Sequence, residues 1–268
     1  MRIAVVMSGG GLRGAGHIGV LQQLVANGIP IDVIVGSSAG AVVAAYYAAV
    51  GLTLEELIRD AQTFRGRHLL AHSLNVRCGH WVDRILGRAS GVIPVRLAQL
   101  ESATFDRLHH GVQSIGVVCH DLKSGRPRCF STECNHGVRV SDVVRASASI
   151  PGLFPPIRVE SDHEHLLLTD GGISDCLPIA FAQAAPLSAT HLIVSDCRWL
   201  ATGPPESTDR LIYVRPRLST TGTLWAPSST LIAAVRHGAA AVTADIVNRA
   251  RAWRGALATT GYQSKLQC

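Results

Sequence analysis

The sequence predicts an α/β fold with a mostly parallel central sheet and helices on both of its faces. Short β-branched runs, of which "RIAVV" and "IDVIVG" come first, alternate with segments of helical periodicity. Glycine-rich turns follow both runs, and this repeated strand–turn–helix order implies parallel strands joined by right-handed crossovers. With 47% hydrophobic and 16% charged residues among 268, the chain has the composition of a packed globular protein.

The first part of the chain predicts two strands and three helices in order. The stretch "MSGGGLRGAGHIGV", residues 7–20, leads from the first strand into a helix that stops at Asn27 and Gly28. The second strand is apolar almost throughout, as expected for a strand buried on both faces. A helix rich in small residues follows and ends at Gly51. Thr53 and Glu56 then form the pattern of a capping box, which predicts the start of the third helix.

Residues 34–52 form a nearly continuous apolar run that is long enough to raise the question of a membrane span. The sequence "GSSAG" at residues 36–40 interrupts this run directly after a β-branched stretch. We therefore expect a strand, a tight turn and a buried helix instead of a transmembrane helix. Residues 65–110 are rich in Arg and His, include the helix-like "HWVDRIL", and suit a cap or a substrate-facing region.

The rest of the chain predicts a hairpin, two more strands and a helical C-terminal part. Two strands around a glycine-containing turn are expected between residues 113 and 131, and a helix from Ser141 must end before Pro151. "HLLLTDGG" and "HLIVSD" are strand candidates, Pro178 opens a short helix between them, and residues 224–256 are largely helical. No internal repeat or linker is visible, so we expect a single domain over residues 1–268.

Charge and cysteine content give limited information about partners and location. The net charge of +6 favours approach to an anionic surface, but it is spread over the whole length. No block of Lys and Arg and no interleaved aromatic and basic pattern is present, so we expect no nucleic-acid partner. Seven cysteines, an odd number, argue against a disulfide framework and suit a reducing, cytoplasmic location. The apolar stretch at the N-terminus is too short for a secretory signal.

One group of cysteines and histidines is a candidate for metal binding: Cys119, His120, Cys129, Cys134 and His136. Their spacing contains no C-x-x-C pair, and the segment from residue 114 to residue 132 is better interpreted as the two strands of the hairpin. We therefore expect no zinc site, and we expect no other metal or cofactor.

The glycine-rich loop after the first strand has two possible functions. Gly9, Gly11 and Gly14 fall at the G-x-G-x-x-G spacing that binds a dinucleotide pyrophosphate. A dinucleotide site also needs an acidic residue at the carboxyl end of the second strand, whereas Asp32 stands at the start of that strand. We therefore expect no nucleotide, and we expect the amides of Gly10 and Gly11 to face a developing oxyanion.

The second glycine-rich turn carries a candidate nucleophile. "GSSAG" fits G-x-S-x-G with Ser38 at its centre and Gly36 and Gly40 at its ends. A serine at a sharp strand-to-helix turn needs such small neighbours, because larger side chains would collide with the adjacent backbone. The N-terminus of the helix that follows also stabilises negative charge nearby. A tight turn without catalytic function is the alternative interpretation.

A serine nucleophile requires a base, and no histidine stands in a context that marks it for this role. The histidines considered are interpreted as packed or solvated residues: His17, His191 and His237. Asp170 ends the strand "HLLLTDGG", and Gly171 and Gly172 let the backbone turn sharply beside its carboxylate. Desolvation in an apolar cleft would raise the pKa of this carboxyl and improve proton transfer. An Asp that only caps the turn is the alternative.

Four ordered motifs make the sequence resemble the patatin-like phospholipases: "GGGLRG", "GSSAG", "ASASIPGLFPP" and "DGG". The resemblance extends over about residues 3–200 and includes "TFDRL" and the turn "HDLKSGRP". It implies a patatin-like three-layer architecture and a Ser–Asp dyad without histidine. By this resemblance Ser38 is the nucleophile and Asp170 is the base.

The same resemblance assigns the first loop as the oxyanion hole, with these residues at its motif positions: Gly9, Gly10, Gly11 and Arg13. Two roles stay open for Arg13, which are steering a lipid phosphate and bracing the loop. The chain departs from the family pattern at Asp175 and Cys176, where an Asn is common, and after about residue 200, where a divergent and largely helical part follows. These departures concern the substrate preference and leave the dyad intact.

The resemblance further implies hydrolysis of an acyl ester in a lipid, of the phospholipase A or lysophospholipase type, through a covalent acyl-serine. It implies a substrate held in a membrane or micelle, so peripheral membrane association is expected. Residues 65–110, with Trp81, are the candidate docking region. Two alternatives stay open, which are an acyltransferase with the same dyad and a non-catalytic lipid-binding regulatory module. The sequence does not indicate the oligomeric state.

Overall fold

The computed structural model describes residues 1–78, 88–162, 164–200, 203, 205, 208–219 and 226–263. These residues contain eight strands: β1 (Ile3–Met7), β2 (Val33–Ser37), β3 (Ser114–Asp121), β4 (Arg126–Ser131), β5 (Ile157–Ser161), β6 (Glu164–Thr169), β7 (His191–Ser195) and β8 (Leu211–Val214). All eight belong to one sheet with the order β5-β6-β3-β2-β1-β7-β8, and β4 pairs with β3. The pairs β1–β2, β1–β7, β2–β3 and β7–β8 are parallel, as predicted for the centre of the sheet. The pairs β3–β4, β3–β6 and β5–β6 are antiparallel, so the sheet is mixed with parallel pairs in the majority.

The helices of the described residues follow in chain order: α1 (Ala15–Ala26), α2 (Ala39–Ala44), α3 (Leu54–Thr63), α4 (Gly66–Cys78), α5 (Ile93–Glu101), α6 (Val140–Ser147), α7 (Ile179–Gln183), α8 (Ser228–Ala241) and α9 (Ala244–Gln263). Helix α2 continues directly as a π-helical turn over Ala45–Ala49. Thr53 caps α3 as predicted, because its hydroxyl accepts from the Glu56 amide and the Glu56 carboxylate accepts from the Thr53 amide.

Helices cover both faces of the sheet, as predicted, although the two layers are unequal. Along β1 the side chains of Ile3, Val5 and Met7 join a large hydrophobic core. Those of Ala4 and Val6 join a smaller core on the opposite face, because successive side chains of a strand point to opposite faces. Helices α1, α2, α6 and α8 contribute to the large core, and α7 contributes to the small one.

Strand β3 brings the ends of two distant strands together. β2 pairs with β3 up to Ser37 opposite Val118, and β6 pairs with the end of β3, where Thr169 lies opposite His120. β4 pairs with β3 over residues 116–121, so this pairing includes positions of β3 that also pair with β2 and positions that also pair with β6. β2 and β6 must therefore share the other edge of β3. β2 runs parallel to β3 and β6 runs antiparallel to it, so the carboxyl ends of β2 and β6 point toward each other. One residue of β3 separates the position that pairs with Ser37 from the position that pairs with Thr169.

The structure confirms one local prediction and adds elements that the sequence does not predict. The apolar run over residues 34–52 divides into β2 and α2, as expected. Within the described residues, no single helix is long and apolar enough to cross a membrane; α8 and the part of α9 up to Trp253 meet the length and composition criteria only as a pair bent by 58°. The two end strands, β5 and β8, are not predicted from the sequence, and the predicted helical C-terminal part consists of two helices, α8 and α9. "HWVDRIL", with Trp81, lies outside the described residues.

Candidate active site

Ser38 lies in a sharp turn between β2 and α2. Its backbone has φ 52° and ψ −120°, a positive φ that non-glycine residues rarely adopt. A Cβ on Gly36 would overlap the backbone of Gly40, and a Cβ on Gly40 would overlap that of Met7. The two motif glycines are therefore what allows β2, the turn and α2 to pack so closely. The turn places Ser38 at the carboxyl edge of the sheet, at the N-terminus of α2.

The Ser38 hydroxyl is hydrogen-bonded to the Asp170 carboxylate. Ser38 Oγ donates to Asp170 Oδ2 at 2.7 Å, although 132 residues separate the two along the chain. Both residues are buried, with 6% and 7% of their surfaces exposed. The structure thus brings together the two residues that the sequence selects as nucleophile and base.

The second oxygen of the Asp170 carboxylate also has a partner. Asp170 Oδ1 accepts the Gly172 amide at 2.8 Å. A Cβ on Gly171 would overlap the Val118 carbonyl, so the turn after β6 also requires a residue without a side chain. Burial raises the pKa of the Asp170 carboxyl above its usual value, and the hydrogen bonds from Ser38 and Gly172 oppose this shift. A raised pKa makes the carboxylate a stronger base for a hydroxyl proton.

Helix α6 and the turn after it hold both residues in place. The Ser147 hydroxyl accepts the Ser38 amide at 2.9 Å and donates to the Val118 carbonyl at 2.6 Å. Two residues later, the Ser149 carbonyl accepts the Asp170 amide at 3.2 Å. Neither serine is predicted as functional from the sequence. Both belong to the motif "ASASIPGLFPP", which is the signal that points to them.

The glycine-rich loop after β1 packs directly against Ser38. A Cβ on Gly9 would lie 3.3 Å from the Ser38 Cβ and 2.9 Å from Cys176 Sγ, so a larger residue would displace its neighbours. The Gly9 amide donates to the Cys176 carbonyl at 2.9 Å. The hydrogen bonds of the described residues give no acceptor to the amides of Gly10 and Gly11. Among the predicted loop glycines, these two therefore have N–H groups available to a ligand.

Arg13 braces the loop from the C-terminal part of the chain. Its guanidinium donates to the carbonyls of Cys197 at 3.0 Å and Arg198 at 3.2 Å, and also to that of Ser219. The Arg13 amide donates to the Gly10 carbonyl at 3.2 Å, so it is occupied as well. Only 6% of the residue is exposed. Of the two roles that the sequence leaves open, these contacts favour bracing, because the guanidinium is directed at protein carbonyls.

Asp196 anchors the segment that Arg13 contacts. Its buried carboxylate accepts hydrogen bonds from three side chains: Arg198, Tyr213 and Arg215. Burial alone would raise the pKa of Asp196, but the hydrogen bonds from Arg198 and Tyr213 lower it to about 2. The negative charge at Asp196 is therefore well stabilised, and the segment after β7 is fixed beside the loop.

The histidines considered as bases lie away from the serine–aspartate pair. His17 is buried in α1, where its ring contacts the Ser8 carbonyl through Nε2 at 2.9 Å and Ser195 Oγ through Nδ1 at 2.8 Å. Since a carbonyl only accepts, Nε2 carries the proton. Burial lowers the pKa of His17 to about 4, so the ring is neutral. His191 begins β7, and His237 is exposed on α8.

Asp32 and the metal candidates also lie apart from the site. Asp32 Oδ2 accepts the Ile3 amide at 2.7 Å, at the opposite edge of the sheet from the glycine-rich loop. It is therefore not placed to hold a nucleotide bound at that loop. The five residues considered for zinc are spread along β3, β4 and the loop after β4. In the part of the chain that the structure describes, no group of three or more His, Cys, Asp or Glu side chains is arranged to hold a metal ion.

A cavity of about 330 Å³ adjoins Ser38. This volume lies within the range of small-molecule binding sites. The walls are mainly apolar, with the ion pair between Asp60 and Arg96 as an exception. Ser38, Val42 and Tyr46 line it at intervals of four residues, on one face of the helix after Ser38. Eight residues of helix span about 12 Å, so the cavity accommodates an extended apolar group with one end at Ser38.

Comparison with known proteins identifies the family. The family model described as "Patatin-like phospholipase" matches residues 5–182. The chain belongs to this family. An uncharacterised NTE family protein of Mycobacterium tuberculosis is 33% identical over 183 residues, which are 67% of this chain and 45% of that protein. The lysophospholipase nte1 of Emericella nidulans is 29% identical over 187 residues, which are 66% of this chain and 11% of that protein.

The fold is also similar to that of a solved structure. VipD from Legionella pneumophila superposes with a TM-score of 0.55 over 92% of this chain and 66% of that chain, at 15% sequence identity. At this identity the similarity concerns the fold alone, and it agrees with the patatin-like architecture expected from the motifs. The chain spans less than half the length of the curated relatives it matches. The carbonyls that hold the Arg13 guanidinium all lie beyond residue 182, outside the family match.

Proposed function

We propose that this chain is a lipid acyl hydrolase, a carboxylic ester hydrolase of the phospholipase A or lysophospholipase type. The family and the lysophospholipase name of one relative support a lipid hydrolase. The observation that carries the finer proposal is the 2.7 Å hydrogen bond from Ser38 Oγ to a buried carboxylate beside an apolar cavity. Ser38 acts as the nucleophile and Asp170 as the general base.

The first step is attack of Ser38 Oγ on the ester carbonyl carbon. As this bond forms, the hydroxyl proton passes along the existing hydrogen bond to Asp170 Oδ2. Asp170 then gives the proton to the departing alcohol or lysolipid oxygen, and the acyl group stays on Ser38 as an ester. The raised pKa of the Asp170 carboxyl supports this role, because it improves proton transfer from a hydroxyl.

The amides of Gly10 and Gly11 stabilise the negative oxygen of the tetrahedral intermediate. They are the loop glycines without an acceptor among the described residues, and Gly11 lines the cavity together with Ser38. Donors of this kind contribute about 3 kcal/mol each to transition-state stabilisation. In this proposal Gly9 provides close packing and Arg13 holds the loop in position.

The second step is hydrolysis of the acyl-serine. A water molecule takes the place of the departed alcohol, loses its proton to Asp170 and attacks the same carbonyl carbon. The proton returns from Asp170 to Ser38 Oγ when the fatty acid leaves, so the pair regains its starting state. During both steps the acyl chain occupies the apolar cavity along the helix after Ser38.

The substrate is taken from a membrane or a micelle, and peripheral membrane association and a cytoplasmic location stay predictions. Large apolar side chains are exposed near the carboxyl edge of the sheet: Ile173, Trp199 and Leu200. Ile173 follows β6, and Trp199 and Leu200 follow β7. Arg198, the residue before Trp199, donates to Asp196 in the hydrogen-bond network beside the glycine-rich loop. These residues are candidates for lipid contact in addition to the predicted region around Trp81.

Two alternatives keep the same fold. An acyltransferase would pass the acyl group from Ser38 to an alcohol, and with a lysolipid or alcohol acceptor present it would yield new ester instead of free fatty acid. A non-catalytic lipid-binding module would bind lipid without reacting with a fluorophosphonate. The buried hydrogen bond between Ser38 and Asp170 favours a reactive serine over this second alternative.

The test combines a fluorophosphonate probe with fatty-acid release from phospholipids, lysophospholipids, triacylglycerols and short-chain esters. Ser38→Ala should abolish labelling and turnover with an unchanged melting temperature. Ser37→Ala is the matched control, because the neighbouring Ser37 hydroxyl is buried and has no hydrogen-bond partner among the described residues. Turnover that survives in Ser38→Ala, or an unlabelled and inactive wild type, would contradict the proposal.

A further inference from the structure

The loop after β4 brings a thiol, an imidazole and a carboxylate into one chain of contacts. Cys134 Sγ lies 3.0 Å from His136 Nε2, and His136 Nδ1 lies 2.6 Å from Asp162 Oδ2. Cys134 and His136 belong to the group considered for zinc, whereas Asp162 comes from the turn between β5 and β6. The imidazole separates the thiol from the carboxylate, so these groups do not converge on a point where a metal ion would sit.

The hydrogen bond to Asp162 determines which nitrogen of His136 carries the proton. An ionised carboxylate only accepts, so in the neutral ring Nδ1 donates to Asp162. Nε2 is then unprotonated and accepts from the Cys134 thiol. A nucleophile within hydrogen-bond reach of a base, which is itself oriented by a third group, is the arrangement that activates serine and cysteine in enzymes.

The three residues are held in position and are reachable from solvent. The Cys134 amide and carbonyl both bond to the backbone of Ser131, which fixes the turn that carries the thiol. His136 and Asp162 have positive φ values of 54° and 42°. The side chains of His136 and Asp162 are 41% and 65% exposed, and Cys134 is half-buried.

The other described thiols lack this environment. Cys119 and Cys197 are fully buried, and burial raises the pKa of both thiols. Cys129 is half-buried like Cys134, but burial raises the pKa of its thiol to about 11. Burial also raises the pKa of Cys176. A thiol with a raised pKa forms little of the reactive thiolate, so Cys129 and Cys176 provide internal references for the reactivity of Cys134.

We propose that Cys134 is a site of reversible covalent modification by low-molecular-weight disulfides. His136 Nε2 takes the thiol proton as the sulfur attacks one sulfur of the disulfide, and Asp162 stabilises the imidazolium that forms. The disulfide bond breaks, and the leaving thiolate takes the proton from His136 and departs as a free thiol. One thiol and one disulfide thus become a mixed disulfide on Cys134 and one free thiol. None of the three residues lines the cavity at Ser38, so the proposal does not rest on the proposed hydrolase activity.

The test uses the reduced 268-residue chain with a limiting amount of 2,2′-dipyridyl disulfide at neutral pH, followed by mass spectrometry of the cysteine-containing peptides. Cys134 should react at least about tenfold faster than Cys129 and Cys176. His136→Asn should lower the rate at Cys134 by at least about tenfold and leave the rates at the two reference thiols unchanged. Asp162→Asn should lower it by a smaller factor, since it removes the orienting group and keeps the base.

His120→Asn is the matched control, because this imidazole contacts the Ser174 hydroxyl and no thiol among the described residues. It should leave the rate at Cys134 unchanged, and esterase activity should be retained in all of these variants. If His136→Asn lowers the melting temperature, the rate of reaction at Cys134 in the Asp162→Asn variant tests the proposal instead. A Cys134 thiol no faster than Cys129, or a Cys134 rate that neither His136→Asn nor Asp162→Asn changes, overturns the proposal.

Discussion

Asp170→Asn removes the charge of the proposed base and keeps the shape of its side chain. In the structure Asp170 uses both carboxylate oxygens as acceptors, one for the Ser38 hydroxyl and one for the Gly172 amide. An Asn side chain has a single oxygen, so it accepts only one of these two hydrogen bonds. With the oxygen toward Gly172, the NH₂ group faces Ser38 Oγ and cannot take its proton. With the oxygen toward Ser38, the NH₂ group of Asn faces the Gly172 amide, and both of these groups are hydrogen-bond donors.

The size of the effect follows from the role assigned to Asp170. A positioned general base contributes about 10²- to 10⁴-fold in rate, which is about 3–5 kcal/mol of transition-state stabilisation. The amides of Gly10 and Gly11 are untouched by the substitution, so a residual rate should remain. The apolar cavity is also unchanged, so KM should change little.

The assay measures kcat and KM on a chromogenic acyl ester, with calorimetry to show that the variant is folded. kcat should fall by at least about 100-fold while KM stays within about threefold of the wild type. A folded variant that keeps kcat within about tenfold of the wild type refutes the reasoning, because the Ser38 proton would then pass to another group.

The pKa of Asp170 also gives the sign of the pH dependence. Burial raises this pKa, and only the ionised carboxylate accepts the Ser38 proton. kcat/KM should therefore fall on acidification at a pH above the value of about 3.9 for an exposed Asp. The folded chain binds this proton more tightly than the unfolded chain, so ionisation of Asp170 lowers stability as the pH rises through that window. Asp170→Asn removes this titration, so the stability of the variant should fall less than that of the wild type as the pH rises through that window.

Two further substitutions test the residues that hold the site. Asp196→Asn should lower the free energy of unfolding at pH 7 by at least about 2 kcal/mol, because the pKa of Asp196 is lowered from 3.8 to about 2 in the folded state. In the wild type, denaturant titrations should show this contribution above pH 4 and its loss as the pH falls toward 2; a flat profile would contradict it. Ser147→Ala leaves the Ser38 amide without its acceptor and should destabilise the chain by about 1–3 kcal/mol and lower kcat. Ser149→Ala keeps the carbonyl that accepts the Asp170 amide, so an equal loss of kcat in both variants would argue against a positioning role of Ser147.

The position of Ser38 is predictable because its requirements are local. A β-branched strand, two glycines around a serine and a helix of small residues all fall within about fifteen residues. The structure adds the reason, since the turn has a positive φ at Ser38 and backbone contacts at Gly36 and Gly40 that exclude a Cβ. Short-range sterics of this kind leave a direct trace in sequence.

The contact between Ser38 and Asp170 depends on the sheet, and the sequence predicts it only in part. Parallel strands place their carboxyl ends at one edge, which explains why the turns after β1 and β2 are neighbours. Strand β6, however, runs antiparallel to β3 and meets β2 end to end. No periodicity indicates this direction, so the residues alone suggest Asp170 as a base and the motif resemblance pairs it with Ser38.

The supporting contacts are the least predictable part of the site. The Ser147 hydroxyl reaches Ser38 across 109 residues, and the Arg13 guanidinium reaches Cys197 across 184. Both side chains are buried polar groups whose partners are backbone atoms. Because any residue supplies a carbonyl or an amide, such partners have no signature in the side-chain sequence.

Arg13 connects the glycine-rich loop to residues that lie beyond the C-terminal end of the family match. A fragment ending at residue 182 would retain Ser38, Asp170 and the glycine-rich loop. It would lose every carbonyl that the Arg13 guanidinium contacts, together with β7, the neighbour of β1. Without these partners the Arg13 guanidinium no longer links the glycine-rich loop to the segment after β7. Motif-based trimming of this protein would therefore yield a piece that carries Ser38, Asp170 and the glycine-rich loop but lacks the contacts through which the Arg13 guanidinium holds that loop beside Ser38.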